Sequence, residues 1–165
     1  MSHPLGEAFF QELLWVHGMI RKDLETVREL VRLVSDGLPA DELDTQIRSL
    51  KTSGPLWALK VNCLHYCQFV HGHHRAEDVK LFPALREAEP DLAPVVDRLE
   101  GDHRLVAEQL DELEAAAAAL GEDGRERVVE ALNTLAEHLL AHLTLEEESI
   151  GPALRRMDRN PLSRL

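Results

Sequence analysis

Apolar residues recur every three to four positions along four long stretches of the chain, which are separated by short polar segments containing glycine or proline. The stretches cover about residues 5–34, 55–89, 91–120 and 125–157. This spacing is the period of an α-helix that turns one apolar face towards a core. The pattern therefore predicts four long helices, each with one buried face.

The segments between these stretches predict how the helices are connected. SDGLPA at 35–40 ends the first helix, and GEDG at 121–124 separates the third from the fourth. A short helical pattern at about 41–50 lies in the longer connection between the first two helices. Helices of similar length joined mostly by short loops form an up-down-up-down four-helix bundle. We therefore predict an all-α fold with a single domain at 5–157 and a C-terminal tail at 158–165.

Composition and charge fit a helical, globular chain and argue against several kinds of partner. Of the 165 residues, 44% are hydrophobic, 29% are charged and only 4% are aromatic, which favours helices over sheets. The formal net charge of −12 argues against nucleic acid, because phosphates attract a basic surface. There is no apolar run long enough to cross a bilayer and no signal-peptide pattern, so we expect no membrane partner and a cytoplasmic location.

The second and fourth predicted helices carry the same motif. The pattern H-x-x-x-E, followed by a second acid and then by Pro-Ala-Leu-Arg, occurs at 73–86 and again at 142–155. The helices that precede them also match, with His17 in the first and His103 in the third at equivalent positions. The chain therefore consists of two similar helical hairpins, each with one histidine on its first helix and H-x-x-x-E on its second.

Six polar residues of this repeat are predicted to converge in the core: His17, His73, Glu77, His103, His142 and Glu146. A histidine and a glutamate four residues apart lie one turn from each other on the same helix face, here the apolar one. The histidines of the first and third helices lie roughly 18 Å from the helix start, and those of the second and fourth roughly 22 Å from the helix end. Antiparallel packing then brings all four imidazoles to nearly one level.

Buried carboxylates have to be compensated, and two interpretations are possible. An uncompensated buried carboxylate costs several kcal/mol, and a network of Glu–His ion pairs offsets part of that cost. Metal ions offset it more directly, because cations neutralise both carboxylates and accept imidazole nitrogens. Six nitrogen and oxygen ligands without thiolate exceed what one tetrahedral zinc needs, and they suit iron or manganese. Two ions with Glu77 and Glu146 between them would use this ligand set well.

Further residues are candidates for additional ligands or for hydrogen bonds to the ligands. His138 lies one turn from His142 and either joins the ligands or faces a neighbouring helix. His74 and Asp78 lie beside the ligand face. Tyr66 is either a core residue with a hydrogen-bonded hydroxyl or part of a channel to the metal. Weaker candidates for acceptors of imidazole N–H groups are Glu12, Glu100 and Asp102.

At these residues the chain resembles the hemerythrin-like family, the HHE cation-binding domain, over about residues 9–157. The resemblance rests on a His in the first helix, HHxxED followed by LFPAL in the second, a His in the third, and HLxxEE ahead of a proline in the fourth. It implies a four-helix bundle that holds two iron ions, which an oxo group can bridge, in preference to manganese or zinc. The ligands it implies are His17 and His73 for one iron, His103 and His142 for the other, and Glu77 and Glu146 as bridges.

Two departures from the oxygen-carrying hemerythrins change the function that the resemblance implies. Carriers have a second histidine four residues after the first on the third helix, where this chain has Ala107. They close the fourth-helix motif with Asp at a spacing of five, where this chain has Glu146 at four and Glu147 at five. Four histidines instead of five leave a coordination position more open, which argues against reversible oxygen carriage. The chain is similar instead to the broader bacterial HHE group, which implies handling of oxygen, peroxide, nitric oxide or iron.

The expected function is therefore that of a di-iron protein that binds or reacts with a small oxidant: oxygen, peroxide or nitric oxide. If the protein is an enzyme, it is a di-iron oxidoreductase. The alternative is a metal-dependent sensor, interaction module or iron-handling protein without turnover. A ferritin-like oxidase needs E-x-x-H on two helices, and only Glu100 and His103 have that spacing. The sequence leaves the oligomeric state open.

Overall fold

The computed structural model describes residues 1–37, 54–120 and 124–162, together with 39, 41, 42 and 45, and these residues form helices and no strand. A π-helical turn joins the second long helix to its continuation without a break, and a 3-10 turn precedes the third. We call Pro55–Ala88 the second bundle helix. The elements are α1 (Pro4–Gly37), α2 (Pro55–Ala76), the π-helical turn (Glu77–Leu81), α3 (Phe82–Ala88), the 3-10 turn (Pro90–Leu92), α4 (Ala93–Ala118) and α5 (Gly124–Arg156).

The long helices pack as a ring of four in which neighbours are antiparallel. Between α1 and α5, His17 contacts Glu147 and Ser35 contacts Arg125, so residue numbers rise along one helix as they fall along the other. The same reversal relates the other three neighbouring pairs. The predicted all-α, up-down-up-down bundle is confirmed. Within the described ranges, no helix combines the length and the apolar composition that crossing a membrane requires.

The helix limits lie close to those predicted from the hydrophobic period. The largest difference is at the end of α1, which was predicted near residue 34 and lies at Gly37. Of the short helix predicted at about 41–50, Asp41, Glu42 and Thr45 are helical, and the other positions lie outside the described residues. The hydroxyl of Thr45 donates to the carbonyl of Asp41 at 2.8 Å, as expected one turn along a helix.

A polar layer divides the apolar core of the bundle into two clusters. The larger cluster includes Ile20, Leu59, Leu110 and Leu139, and the smaller one, at the end where α1 begins, includes Phe9, Phe10, Phe82, Leu99 and Ile150. Within the described chain, the buried polar side chains all belong to the layer between them: His17, His74, Glu77, His103, His142 and Glu146.

The π-helical turn keeps the second bundle helix facing the core on both sides of this layer. Phe82 donates its backbone N–H to the carbonyl of Glu77, five residues earlier. In a straight α-helix Phe82 would point roughly 160° away from Tyr66, yet both side chains are buried. The extra residue in the turn rotates the following helix back towards the core. Pro83, which follows the turn, has no N–H to donate to the carbonyl of Val79.

Gly6 allows the start of α1 to pack directly on the end of α5. A Cβ at this position would lie 2.4 Å from the carbonyl oxygen of Leu154 and 2.7 Å from those of Arg155 and Met157. The backbone N–H of His3 donates to the carbonyl of Arg155 at 2.7 Å in the same region. This close approach covers the smaller core cluster at its end of the bundle.

We expect Gly6→Ala to lower the free energy of unfolding by about 1–3 kcal/mol, because the added methyl group must displace backbone carbonyls. Gly18 in the same helix is the matched control, since a Cβ there meets open space. Gly18→Ala should raise the free energy of unfolding by about 0.5–1 kcal/mol. Urea denaturation measures both variants. Equal effects would contradict the direct backbone contact between α1 and α5.

Candidate metal centre

The six predicted residues lie together in the polar layer. Five of them are buried, and the side chain of His73 is 10% exposed. All four bundle helices contribute, as antiparallel packing of the two hairpins predicts. The contributions are His17 from α1, His73 and Glu77 from the second bundle helix, His103 from α4, and His142 and Glu146 from α5.

Two pairs of imidazoles face each other through their Nε2 atoms. The Nε2–Nε2 distance is 3.1 Å between His17 and His73, and 3.0 Å between His103 and His142. Two ligand atoms that are each about 2.1 Å from one ion, and at right angles about it, lie about 3.0 Å apart. The spacing of each pair is therefore that of two ligands on a common ion.

Glu77 lies between the two imidazole pairs, with one carboxylate oxygen towards each. Its Oε1 is 2.8 Å from Nε2 of His73 and 3.8 Å from Nε2 of His17. Its Oε2 is 3.2 Å from Nε2 of His103. This is the arrangement of a carboxylate that bridges two ions.

Glu146 reaches both pairs from α5. Its Oε2 is 3.4 Å from Nε2 of His142 and 3.7 Å from Nε2 of His17. Among the described residues, no carboxylate oxygen of Glu146 or Glu77 has a hydrogen-bond partner of good geometry. Four buried acceptor atoms without donors are costly. A cation between the pairs would satisfy all four.

His74 adds a fifth imidazole to the layer. Its side chain is 5% exposed, and its ring stacks on that of His103 with 4.0 Å between the centroids. Its Nε2 has no hydrogen-bond partner in the described part of the chain. The sequence analysis offered His74 as a candidate for an additional ligand or for hydrogen bonds to the ligands, and in the structure its side chain lies in the cluster. The count of five imidazoles is thereby restored in spite of Ala107.

The potential ligand atoms form two groups that share one residue. Within each group, the ligand atoms lie within 4.8 Å of one another. The common member is Glu77. The groups are His17, His73 and Glu77, and His74, Glu77, His103 and His142.

His138 and Tyr66 stay outside the cluster. His138 is exposed and contacts Gln109 on α4, so in the structure it faces a neighbouring helix, the second of the two alternatives for this residue. Tyr66 is buried, and its hydroxyl donates to the backbone carbonyl of Ile20 at 3.3 Å. Tyr66 is therefore a core residue, and the pocket that reaches the cluster is lined by other side chains.

Acidic side chains contact the Nδ1 atoms of imidazoles on the side away from the cluster. Nδ1 of His17 is 2.9 Å from Glu147, which also accepts two hydrogen bonds from Arg21, at 2.7 and 3.1 Å. Nδ1 of His103 is 2.7 Å from Asp78. A carboxylate at Nδ1 holds the imidazole proton there and leaves the Nε2 lone pair directed at the cluster.

Each of these two acids contacts a histidine of the other hairpin. Asp78 of the first hairpin contacts a histidine of the second, and Glu147 of the second contacts a histidine of the first. Each acid directly follows the inward glutamate of its own repeat. The sequence analysis offered Asp78 as a supporting residue but missed the same role for Glu147, although the pair of adjacent acids in both repeats was the signal for it.

Of the three acids predicted as partners of imidazoles, one lies at an imidazole nitrogen. Asp102 is 3.4 Å from Nδ1 of His142. Glu100 instead pairs with Arg86 at 3.0 Å, and Glu12 is exposed on the wall of a pocket that leads to the cluster.

Burial governs the protonation of the cluster. It lowers the pKa of His73 to about 4 and that of His103 to about 3, so both imidazoles are neutral at neutral pH. Burial and the neighbouring Glu146 raise the pKa of Glu77 well above its usual value. Burial acts on Glu146 in the same direction, but the imidazoles of His142 and His17 outweigh it and lower the pKa of Glu146. Without a cation, Glu77 therefore keeps its proton to higher pH than an ordinary glutamate, and metal binding would displace that proton.

A family model described as the hemerythrin HHE cation binding domain matches residues 8–154. The chain belongs to this family. The match includes all five imidazoles and both glutamates of the cluster. No curated protein and no solved structure matches the chain.

The resemblance to the hemerythrin HHE domain that the motifs suggested is thus confirmed. Membership in the family implies metal binding, typically of iron, and the His/Glu cluster could hold a metal. The donors in the two groups are imidazole nitrogens and carboxylate oxygens, which suit iron or manganese.

We expect Glu77→Gln to stabilise the protein in the presence of a chelator at pH 8, by about 1–3 kcal/mol, because the neutral amide avoids the cost of either ionising the buried carboxyl group or keeping on it a proton that the unfolded chain releases. The folded-state pKa of Glu77 is raised, so the wild type loses stability as the pH rises from the ordinary glutamate pKa of 4.5 through the folded-state pKa. The gain should therefore shrink towards pH 5, where Glu77 is protonated.

Urea denaturation at the two pH values measures this gain. Glu148→Gln is the matched control, because Glu148 is an exposed residue of the same helix as Glu146 and should change little. A gain for Glu77→Gln that is the same at both pH values would contradict the buried, unpaired state of this carboxyl group.

Proposed function

We propose that this hemerythrin HHE domain binds two iron ions in the polar layer, with Glu77 between them. The proposal is carried by one observation: two groups of ligand atoms share the carboxylate of Glu77. In this arrangement Glu146 also contacts both ions, in keeping with its distances to both imidazole pairs. One ion would take His17 and His73, and the other would take His74, His103 and His142.

The two proposed positions differ in their number of imidazoles and in their access. The position at His17 and His73 has two imidazoles, and the other has three. A pocket of about 70 Å³ ends at His73 and Glu77, beside the position with two. An ion with fewer protein ligands and an access pocket keeps a coordination position for an external molecule. We infer that a small oxidant (oxygen, peroxide or nitric oxide) binds there.

The surrounding side chains prepare the layer for such chemistry. Iron, when bound, supplies a redox-active Lewis acid. Burial lowers the pKa of His73, His74 and His103. Glu147 and Asp78 hold protons at Nδ1 of His17 and His103, which leaves the Nε2 lone pairs of these two imidazoles available to a metal. The apolar clusters on both sides of the layer exclude bulk water from it.

His74 changes the expectation about oxygen carriage. If His74 is a ligand, five imidazoles are available, the number that oxygen carriers use. Ala107 therefore no longer argues against reversible oxygen binding by ligand count. Reversible oxygen carriage and catalytic turnover therefore have to be distinguished by experiment.

Metal analysis tests the proposal. Wild-type protein loaded with ferrous iron without oxygen and then desalted should hold about two irons per chain, as in two-metal carboxylate sites. His17→Ala should hold about one, because the position with two imidazoles then keeps only one, whereas the control His138→Ala should keep about two. Background iron in the wild type, with an unfolding curve that chelator does not change, would overturn the proposal.

Peroxide consumption separates an enzyme from a binding protein. Disproportionation of hydrogen peroxide to water and oxygen needs no other reactant, so iron-loaded protein alone suffices. Consumption that falls to background in Glu77→Ala supports turnover at this centre, and equal rates in both proteins would count against it. An absorption spectrum that changes in air and reverses on removal of oxygen, without peroxide consumption, would favour a carrier or sensor.

A further inference from the structure

The pocket that ends at the cluster has a mainly apolar wall assembled from three parts of the chain. It lies between α1 and the second bundle helix, and the segment that follows α5 closes one side. Its apolar residues include Leu13 and Val16 of α1, Ala76 and Leu81 of the second bundle helix, and Leu162.

The pocket has room only for a very small molecule. Its volume is about 70 Å³, whereas an apolar cavity that binds benzene has about 150 Å³. Pockets for drug-sized ligands are about 300–1,000 Å³. Oxygen, nitric oxide and hydrogen peroxide fit this space, whereas a molecule that carries a phenyl or tert-butyl group does not.

Leu162 is held at the pocket by contacts of the C-terminal segment with the bundle. Met157 is buried in the smaller core cluster, and Leu162 is partly buried against the same cluster. Arg159 donates to Glu87 on α3 at 3.3 Å, and the backbone N–H of Leu162 donates to the side-chain oxygen of Asn160 at 2.8 Å. The part of the predicted tail up to Leu162 therefore packs on the second bundle helix.

Ala76 lines the inner part of the pocket, next to the cluster. It is the residue before Glu77, so its side chain lines the pocket directly beside the proposed bridging carboxylate. A methyl group is the smallest side chain that a non-glycine residue can offer. Any larger side chain at this position has to extend into the pocket or displace its wall.

We propose that Leu162 and Ala76 set the size limit for molecules that reach the two-imidazole position of the cluster. The C-terminal segment is then a selectivity element of the centre, although it lies outside the matched domain at 8–154. This proposal rests on the proposed function, which assigns an external ligand to that position. Leu162→Ala removes one wall of the pocket and leaves the helices unchanged, and Ala76→Leu fills the pocket.

Nitric oxide and nitrosobenzene test the size limit, because both bind ferrous iron through nitrogen and they differ by a phenyl ring. Their association rates with iron-loaded protein can be followed by absorbance without oxygen. In Leu162→Ala, the rate for nitric oxide divided by the rate for nitrosobenzene should fall about tenfold or more, because the larger molecule gains access. Nitric oxide should bind about tenfold more slowly to Ala76→Leu. Both magnitudes follow from the 10–200-fold effect, roughly, of a single methylene in an apolar pocket. Leu64→Ala, at a partly exposed leucine of α2 away from the pocket, is the matched control and should behave as wild type.

Xenon tests the pocket independently of iron, because it binds in empty apolar cavities. In crystals of the purified protein under xenon pressure, xenon should lie beside Ala76 in the wild type and should be absent from Ala76→Leu. An unchanged rate ratio in Leu162→Ala at full iron content would overturn the size limit and leave the proposed function intact. Xenon bound equally in Ala76→Leu would overturn the pocket itself. Absence of iron binding with the expected xenon pattern would overturn the proposed function, and with it the selectivity role.

Discussion

Two glutamates buried side by side in an apolar bundle are the constraint on which the rest of the structure depends. Glu77 is 3% exposed and Glu146 is 0% exposed, and none of their oxygens has a hydrogen-bond partner of good geometry within the described residues. Imidazoles surround them, and burial lowers the pKa of three of these, His73, His74 and His103. The layer is therefore unfavourable to the protein alone and favourable with metal, which links metal binding to the stability of the bundle.

The duplicated hairpins explain both the symmetry of the layer and its asymmetry. Each hairpin contributes an acid that holds a histidine of the other, so the two halves support each other's imidazoles. The repeat differs next to the histidine of H-x-x-x-E: His74 in the first hairpin corresponds to Leu143 in the second, which packs in the larger core cluster. The π-helical turn also occurs only in the first hairpin, since Pro152 lies within a continuous α-helix. These differences leave three imidazoles on one side and two on the other.

The helical period was enough to predict the four-helix bundle. It also predicted that six polar residues lie at one level, because the position of each residue along its helix and antiparallel packing together determine that level. It could not decide between adjacent positions. An inward face about 100° wide admits two consecutive residues, so His73 and His74 both turn inward, and a residue at its edge, such as His138, turns outward. The π-helical turn was not predicted either. The sequence signal for it was the apolar residue Phe82, which a straight helix would have turned away from the core and which is buried in the structure.

The most direct test of a centre bridged by Glu77 is the X-ray absorption spectrum of the iron-loaded protein at the iron edge. A bridged pair predicts nitrogen and oxygen neighbours at about 2.1 Å and a second iron within about 4 Å. The scattering from the second iron should disappear in Glu77→Ala. Sulfur neighbours, or no iron–iron scattering in wild-type protein that holds two irons per chain, would contradict it.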